Sequence, residues 1–104
     1  MGQALMTLDK DHKPLSIGDR VAFVMGGFFR EREQEAFGQI RDIDACGGIV
    51  IEVAGPYRHF LTNGKVASMS RKIYFVHHRY DSSLKARVYS VAAGRHTLYL
   101  SKLD

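Results

Sequence analysis

The side chain best suited to act as a strong nucleophile is the thiol of Cys46, the only cysteine in the chain. A cysteine attacks as its thiolate, which a neighbouring base or positive charge must stabilise. Asp42 and Asp44 instead place negative charge just before Cys46. We therefore expect Cys46 to be a turn residue without a catalytic role. A single cysteine also excludes an internal disulfide and a multi-cysteine zinc site.

The histidines are the next candidates, because imidazole nitrogens bind metals. His77 and His78 are adjacent in a predicted strand, so their side chains should point to opposite faces and cannot share a metal ion. His59 and His96 stand at no spacing that a metal site demands. We predict no metal centre, with one histidine of the adjacent pair packed and the other facing solvent.

Two further segments contain residue types that occur in active sites. Gly26-Gly27 is followed neither by the lysine-bearing pattern of a phosphate-binding loop nor by a dinucleotide-binding pattern. Glutamates alternate with arginines over 30–35, and no apolar pocket is evident that would tune a carboxylate for acid-base catalysis. The sequence therefore predicts no catalytic residue, no cofactor and no enzymatic activity.

Basic and aromatic residues interleave in the second half of the chain, and this is the functional signal that rises above background. Residues 1–54 carry six basic and nine acidic side chains, a net charge of −3. Residues 55–104 carry nine basic and two acidic side chains, a net charge of +7, together with all five tyrosines. A basic strand face with exposed aromatic rings is typical of small β-domains that bind nucleic acids.

Two functions from different classes follow from these residues. The first hypothesis is a non-enzymatic nucleic-acid-binding module with a strand face built by residues 57–99. Its predicted binding residues are Arg58, Arg71, Lys72, Arg87, Arg95 and Tyr99. Tyr99 is included because Leu98 and Leu100 should face inward on the same strand.

The alternative is a protein-binding adaptor or inhibitor that meets its partner through the 26–36 loop. Its predicted contact residues are Phe28, Phe29, Arg30 and Arg32. The sequence leaves open the identity of the partner, the choice between DNA and RNA, and the oligomeric state.

Short strands must position these residues, because turn signals and β-rich runs alternate from Pro14 onward. The predicted strands are 20–25, 37–42, 49–53, 58–62, 65–68, 72–77, 86–91 and 97–100. Asn63-Gly64 predicts a type I′ hairpin turn between two of them. Ile40 and Ile43 stand three residues apart instead of two, which predicts a β-bulge around Arg41.

Strand alternation also predicts the core. The inward positions are Val21, Phe23, Ile40, Ile49, Ile51, Val53, Ile73, Val88, Leu98 and Leu100. A chain of 104 residues is large enough for one such core and too small for two. We expect a flexible arm over 1–13 and one domain over 14–104, and a cytoplasmic location because 1–14 has no signal-peptide pattern.

The order of several motifs resembles the Src-homology-3-like small barrel of the KOW type. The matching segments are Gly18-Asp19-Arg20-Val21, then 38–43, then 48–53, and a closing 98–103. The resemblance implies an all-β small barrel, in which residues 55–96 would be an inserted β-hairpin region. Such a fold hosts many activities, so it implies architecture and not function.

A more distant resemblance is to the plasmid-borne dihydrofolate reductases of the small-barrel type. They share the Gly-Asp-Arg-Val and Gly-Gln-Ile motifs found at 18–21 and 38–40. Their active strand carries Val-Gln-Ile-Tyr, whereas His96-Thr97-Leu98-Tyr99 keeps the tyrosine and lacks the glutamine. Their lysine after the opening strand is also missing from Phe23-Val24-Met25-Gly26. The resemblance implies a common architecture without the common activity.

Overall fold

The structure, a computed structural model, describes residues 5–25, 34–60, 66–93 and 96–103. For Met25, Gln34, 55–60, 66–71, Ala93 and His96 it describes the backbone alone. All regular structure in these ranges is β-strand, which confirms the all-β prediction. The strands are β1 Met6–Leu8, β2 Arg20–Met25, β3 Gln34–Ile43, β4 Ile49–Phe60, β5 Val66–Phe75, β6 Arg79–Asp81, β7 Ala86–Val88, β8 Ser90–Ala93 and β9 His96–Lys102.

The strands form two sheets. The larger is a six-stranded antiparallel sheet in the order β5-β4-β3-β2-β9-β8, and the smaller has the order β1-β7-β6, with β1 parallel to β7. In the described residues the edge strands β5 and β8 do not pair, so the predicted closed barrel is corrected to an open sheet. The physical reason is the chain between β5 and β8, which builds β6 and β7 into the second sheet.

The main core is centred on the strands of the six-stranded sheet. Seven predicted core residues are buried there together: Val21, Phe23, Ile40, Ile49, Ile51, Leu98 and Leu100. Val53 and Ile73 pack at its margin. Val88 is buried as predicted, but in a separate cluster with Leu8 and Ala86 in the small sheet. Leu15, Val24, Phe75 and Tyr89 complete the main core.

The predicted β-bulge is present. Ile40 pairs with Ile51 and Asp42 pairs with Val50, so Arg41 is an extra residue on β3. Ile43 is three residues from Ile40, an odd number that would place the two side chains on opposite faces of a regular strand. The bulge turns Ile43 toward the core, and its side chain packs there. This is the kink that lets a small sheet curl.

Residues 5–13 dock on both sheets. Met6–Leu8 forms β1 along β7, and Leu8 is buried. Asp9 is also fully buried, and its carboxylate accepts hydrogen bonds from the backbone N–H groups of Asp11 (2.8 Å), Lys13 (2.8 Å) and Lys102 (2.7 Å). A buried carboxylate requires such donors. Asp9 thus ties this segment to β9.

Candidate nucleic-acid interface

The feature that stands out from the body of the fold is the outer part of the β4–β5 hairpin. The last β3–β4 pair along β4 joins Gly38 to Val53, whereas β4 and β5 stay paired as far as Phe60 and Val66. We call the segments 54–60 and 66–71 the β4–β5 ribbon. At about 3.3 Å per residue the ribbon extends roughly 20 Å. The chain is correspondingly long, with principal extents of 49 × 28 × 26 Å.

An irregularity separates the ribbon from the sheet. Glu52 pairs with Lys72 and Tyr57 pairs with Ser70, so the four residues 53–56 of β4 face the single residue Arg71 of β5. This stretch contains Gly55-Pro56, and proline supplies no N–H to a ladder. The sequence predicts separate strands over 49–53 and 58–62, with this Gly-Pro pair as the break between them. Instead β4 runs through it, and the pair marks the place where the ribbon leaves β3.

The stretch of chain that contains the ribbon differs from the rest of the protein in charge, and Arg58 and Arg71 are its basic residues on the ribbon itself. No acidic residue occurs between Glu52 and Asp81, a stretch with five basic residues, Arg58, Lys65, Arg71, Lys72 and Arg79. On the body of the fold, carboxylates lie beside several cations, including Arg79 at the end of this same stretch. Arg41 lies 3.1 Å from Glu52, Arg79 lies 3.8 Å from Asp81, and Lys102 lies 3.5 Å from Asp19. The ribbon strands contain no carboxylate that could offset their arginines.

The structure places three of the predicted nucleic-acid-binding residues on this hairpin. Arg58 lies on β4 opposite Met69, Arg71 lies on β5 at the irregularity, and Lys72 is exposed at the base opposite Glu52. Arg95 lies outside the described residues, as do the predicted adaptor contacts Phe28, Phe29, Arg30 and Arg32 and the Asn63-Gly64 turn.

Arg87 and Arg58 do not come together. The Arg87 guanidinium donates a hydrogen bond of 2.9 Å to the carbonyl oxygen of Ala45, in the turn that leads into β4. Arg58 lies near the far end of β4. Ten residues of extended chain separate 48 from 58, about 30 Å. The six predicted residues therefore do not form one patch.

Tyr99 lies on β9 opposite Ser90 and is half-buried. Its hydroxyl donates a hydrogen bond of 3.0 Å to the Glu35 carboxylate, and Lys10 Nζ lies 5.0 Å from the centre of its ring. Glu35 pairs with Val24 on β2, so the Tyr99–Glu35 contact helps to cover Val24. One face of the ring thus already has a cation–π partner.

Several titratable side chains meet at the Asp44–Gly48 turn. Asp44 Oδ1 accepts hydrogen bonds from the N–H groups of Cys46 (2.9 Å) and Gly48 (2.8 Å), and Tyr74 donates its hydroxyl to Oδ2. The Tyr74 hydrogen bond and the backbone donors lower the pKa of Asp44, and the same bond raises the pKa of Tyr74. These N–H groups are satisfied by the turn's own carboxylate, so they do not form a phosphate cradle.

Cys46 is exposed on this turn, as expected of a turn residue. Within the described ranges, no three histidine, cysteine or acidic side chains come close enough to hold a metal ion. The turn itself is held by hydrogen bonds to Asp44.

The two adjacent histidines lie beyond the end of β5 rather than inside a strand, which corrects the predicted strand end at His77. Each ring packs on a different aromatic side chain. The ring centres of His77 and Phe75 lie 5.3 Å apart in an edge-on arrangement, and those of His78 and Tyr89 lie 5.2 Å apart. Burial lowers the pKa of His77, with a smaller effect of His78. Both histidines are half-buried, because strand alternation does not apply to residues 76–78.

Gly47 tests how tightly the turn is packed. It has a φ of +88°, and a Cβ there would lie 2.8 Å from His78 Cε1 and 3.0 Å from Arg87 Cδ. Gly47→Ala should lower the free energy of unfolding by about 2 kcal/mol, through backbone strain plus displacement of both side chains. Gly18 is the matched control, with a φ of +97° and nothing within 4 Å of an added Cβ. Gly18→Ala should cost only about 1 kcal/mol; equal losses in urea unfolding would contradict the packing component.

Tyr89 beneath the turn gives a test at high pH. Its hydroxyl donates a hydrogen bond of 2.6 Å to the Gly47 carbonyl oxygen, and burial raises its pKa to about 12. An unfolded tyrosine titrates near pH 10. Its contribution to stability is therefore complete below about pH 10 and is lost as the pH rises toward 12, because the unfolded chain releases its proton first. Tyr89→Phe should show a shallower fall of unfolding free energy between about pH 9 and 12; the same slope in both proteins would contradict this.

Comparisons of the chain with protein-family models, with curated proteins and with solved structures found no match. In the ranges that the structure describes, no helix has the length and apolar character needed to cross a bilayer.

Proposed function

We propose that this protein is a non-enzymatic nucleic-acid-binding module and that the β4–β5 ribbon is its binding element. The observation that carries the proposal is the combination of shape and charge. A two-stranded ribbon leaves the sheet after Val53, in a stretch with five basic and no acidic residues between Glu52 and Asp81. Neutralisation of phosphates by such cations releases condensed counterions and drives association.

The same proposal includes a relationship to the Src-homology-3-like barrels. It is supported by the consecutive antiparallel pairing of β2, β3 and β4, by the bulge at Arg41, and by the pairing of β9 with β2. In this proposal the ribbon and the small sheet are additions to a minimal barrel plan.

The ribbon arginines provide the direct test. Arg58→Glu and Arg71→Glu should each weaken binding of a 20-base-pair DNA probe about tenfold at about 100 mM salt. Each should also reduce the slope of log affinity against log salt by about 1, because one phosphate contact is lost. Fluorescence anisotropy over a salt series measures both quantities.

Lys85→Glu is the matched control, because it makes the same change in net charge at an exposed turn before β7. It should leave the salt slope near that of the wild-type protein. Equal effects of all three variants would show that net charge, and not the ribbon, determines binding. If the wild-type protein binds neither DNA nor RNA at about 50 mM salt, the proposal is wrong and the adaptor hypothesis replaces it.

A further inference from the structure

We infer that the ligand is duplex DNA in the B form, with the β4–β5 ribbon lying in the major groove. The inference rests on the proposed function and adds the class of nucleic acid and the groove. It depends on the width of the ribbon, on its length beyond β3, and on the positions of its residues along β4 and β5.

The dimensions agree with those of the major groove. Paired strands lie about 4.8 Å apart, and the B-form major groove, about 12 Å wide, admits a two-stranded ribbon with its side chains. The minor groove of undistorted B-form DNA, about 6 Å wide, is too narrow for a ribbon that carries arginine side chains. Because each base pair adds about 3.4 Å, a ribbon of roughly 20 Å could follow about six base pairs.

The residue types on the ribbon suit groove binding. Arg58 and Arg71 supply positive charge on opposite strands, and His59 pairs in register with Ser68. Arginine binds guanine edges or phosphates, and a serine hydroxyl can either donate a hydrogen bond to a base edge or accept one from it. The stretch thus combines groups that contact the phosphate backbone with groups that can contact base edges.

The other nucleic acids fit less well. The major groove of A-form RNA is deep and narrow and does not admit side chains on a ribbon. Single strands are held chiefly by stacking of bases on exposed aromatic rings. Among the tyrosines whose side chains the structure describes, Tyr99, predicted for that role, is half-buried between Glu35 and Lys10, and Tyr74 donates to Asp44 at the sheet end of the hairpin. Tyr80 is exposed but lies on β6 of the small sheet.

The test compares three probes with the full chain: a 20-base-pair DNA duplex, one of its single strands, and the RNA duplex of the same sequence. We expect the DNA duplex to bind at least tenfold more tightly than either of the others at one salt concentration. Methyl green, which occupies the major groove, should displace the protein from the duplex, and distamycin, which occupies the minor groove, should not.

Equal or tighter binding of the single strand or of the RNA duplex would overturn the inference while leaving nucleic-acid binding intact. Displacement by distamycin and not by methyl green would overturn the groove assignment. Failure to bind any of the three probes at about 50 mM salt would instead overturn the proposed function itself. Arg58→Glu in the duplex experiment separates ribbon contacts from binding elsewhere, since loss of the duplex preference in this variant is expected only when the ribbon reads the groove.

Discussion

Asp9→Ala should lower the free energy of unfolding by about 3–5 kcal/mol, a large part of the total for a domain of this size. The Asp9 carboxylate is fully buried and accepts three backbone hydrogen bonds, from Asp11, Lys13 and Lys102. Removal of the acceptor takes the partner from three part-buried N–H groups, and an unsatisfied buried group costs about 1–3 kcal/mol. Urea unfolding monitored by circular dichroism gives the difference directly.

Two variants refine this prediction. Asp9→Asn keeps one acceptor oxygen and should cost less than alanine, because part of the hydrogen bonding survives. Asp11 is exposed, so Asp11→Ala should change stability by less than about 0.5 kcal/mol. If Asp9→Ala were as mild as Asp11→Ala, the docking of the first segment on β9 would not contribute to the stability of the fold.

Phe75→Ala should cost about 3–5 kcal/mol. Phe75 is fully buried on β5 opposite Ile49, and its ring contacts His77 at 5.3 Å and Tyr89 at 6.5 Å. The substitution removes apolar surface and leaves a cavity where β5, the end of the hairpin and the Asp44–Gly48 turn meet. Stability measured by urea or heat reports the loss.

Val76 is the natural control, since it is the next residue and 46% of its surface is exposed. Val76→Ala should change the free energy of unfolding by less than about 0.5 kcal/mol. If Phe75→Ala does not fold, Phe75→Leu keeps most of the volume and should cost about 1–1.5 kcal/mol. A mild effect of Phe75→Ala itself would mean that this end of the sheet does not belong to the main core.

Local patterns predicted a large part of the fold. Alternation identified Val21, Phe23, Ile51 and Leu98 as core residues, because a strand with one buried face shows its period directly. The odd spacing of Ile40 and Ile43 predicted the bulge for the same reason. These features depend on neighbours in sequence, and sequence reasoning is strongest for them.

Other features depend on partners far along the chain. The three-residue strand β1 is too short to show a period. The buried Asp9 carboxylate accepts a hydrogen bond from Lys102 on β9, which lies 93 residues away in the sequence. Tyr89 is the single residue between β7 of the small sheet and β8 of the large sheet. Its burial therefore does not follow from the alternation of side chains along either strand. Sequence reasoning likewise expected Gly55-Pro56 to end a strand, because a glycine-proline pair marks a break without telling whether the chain stops or continues past it.

The candidate site likewise combines features that the sequence alone shows with features that depend on residues far along the chain. The excess of basic over acidic side chains in residues 55–104 is readable from the sequence, and Arg58, Arg71 and Lys72 were predicted from that excess and from the tyrosines among it. Two other features could be seen only from the pairing of the strands. Arg87 lies near the start of β4, far from Arg58, and Tyr99 donates a hydrogen bond to Glu35. A charge pattern predicts the type of partner more readily than the geometry of the surface.

The link between Asp9 and Lys102 has a consequence for how the protein is made. During synthesis Asp9 leaves the ribosome more than 90 residues before the backbone N–H that it must bind, so its carboxylate stays solvated while most strands emerge. β1 likewise waits for β7, its parallel partner. Closure of such long loops is slow, because chain entropy is lost before the contacts form. Residues 5–13 should therefore be among the last parts to acquire protection in pulsed hydrogen exchange, although they are translated before the strands that they contact.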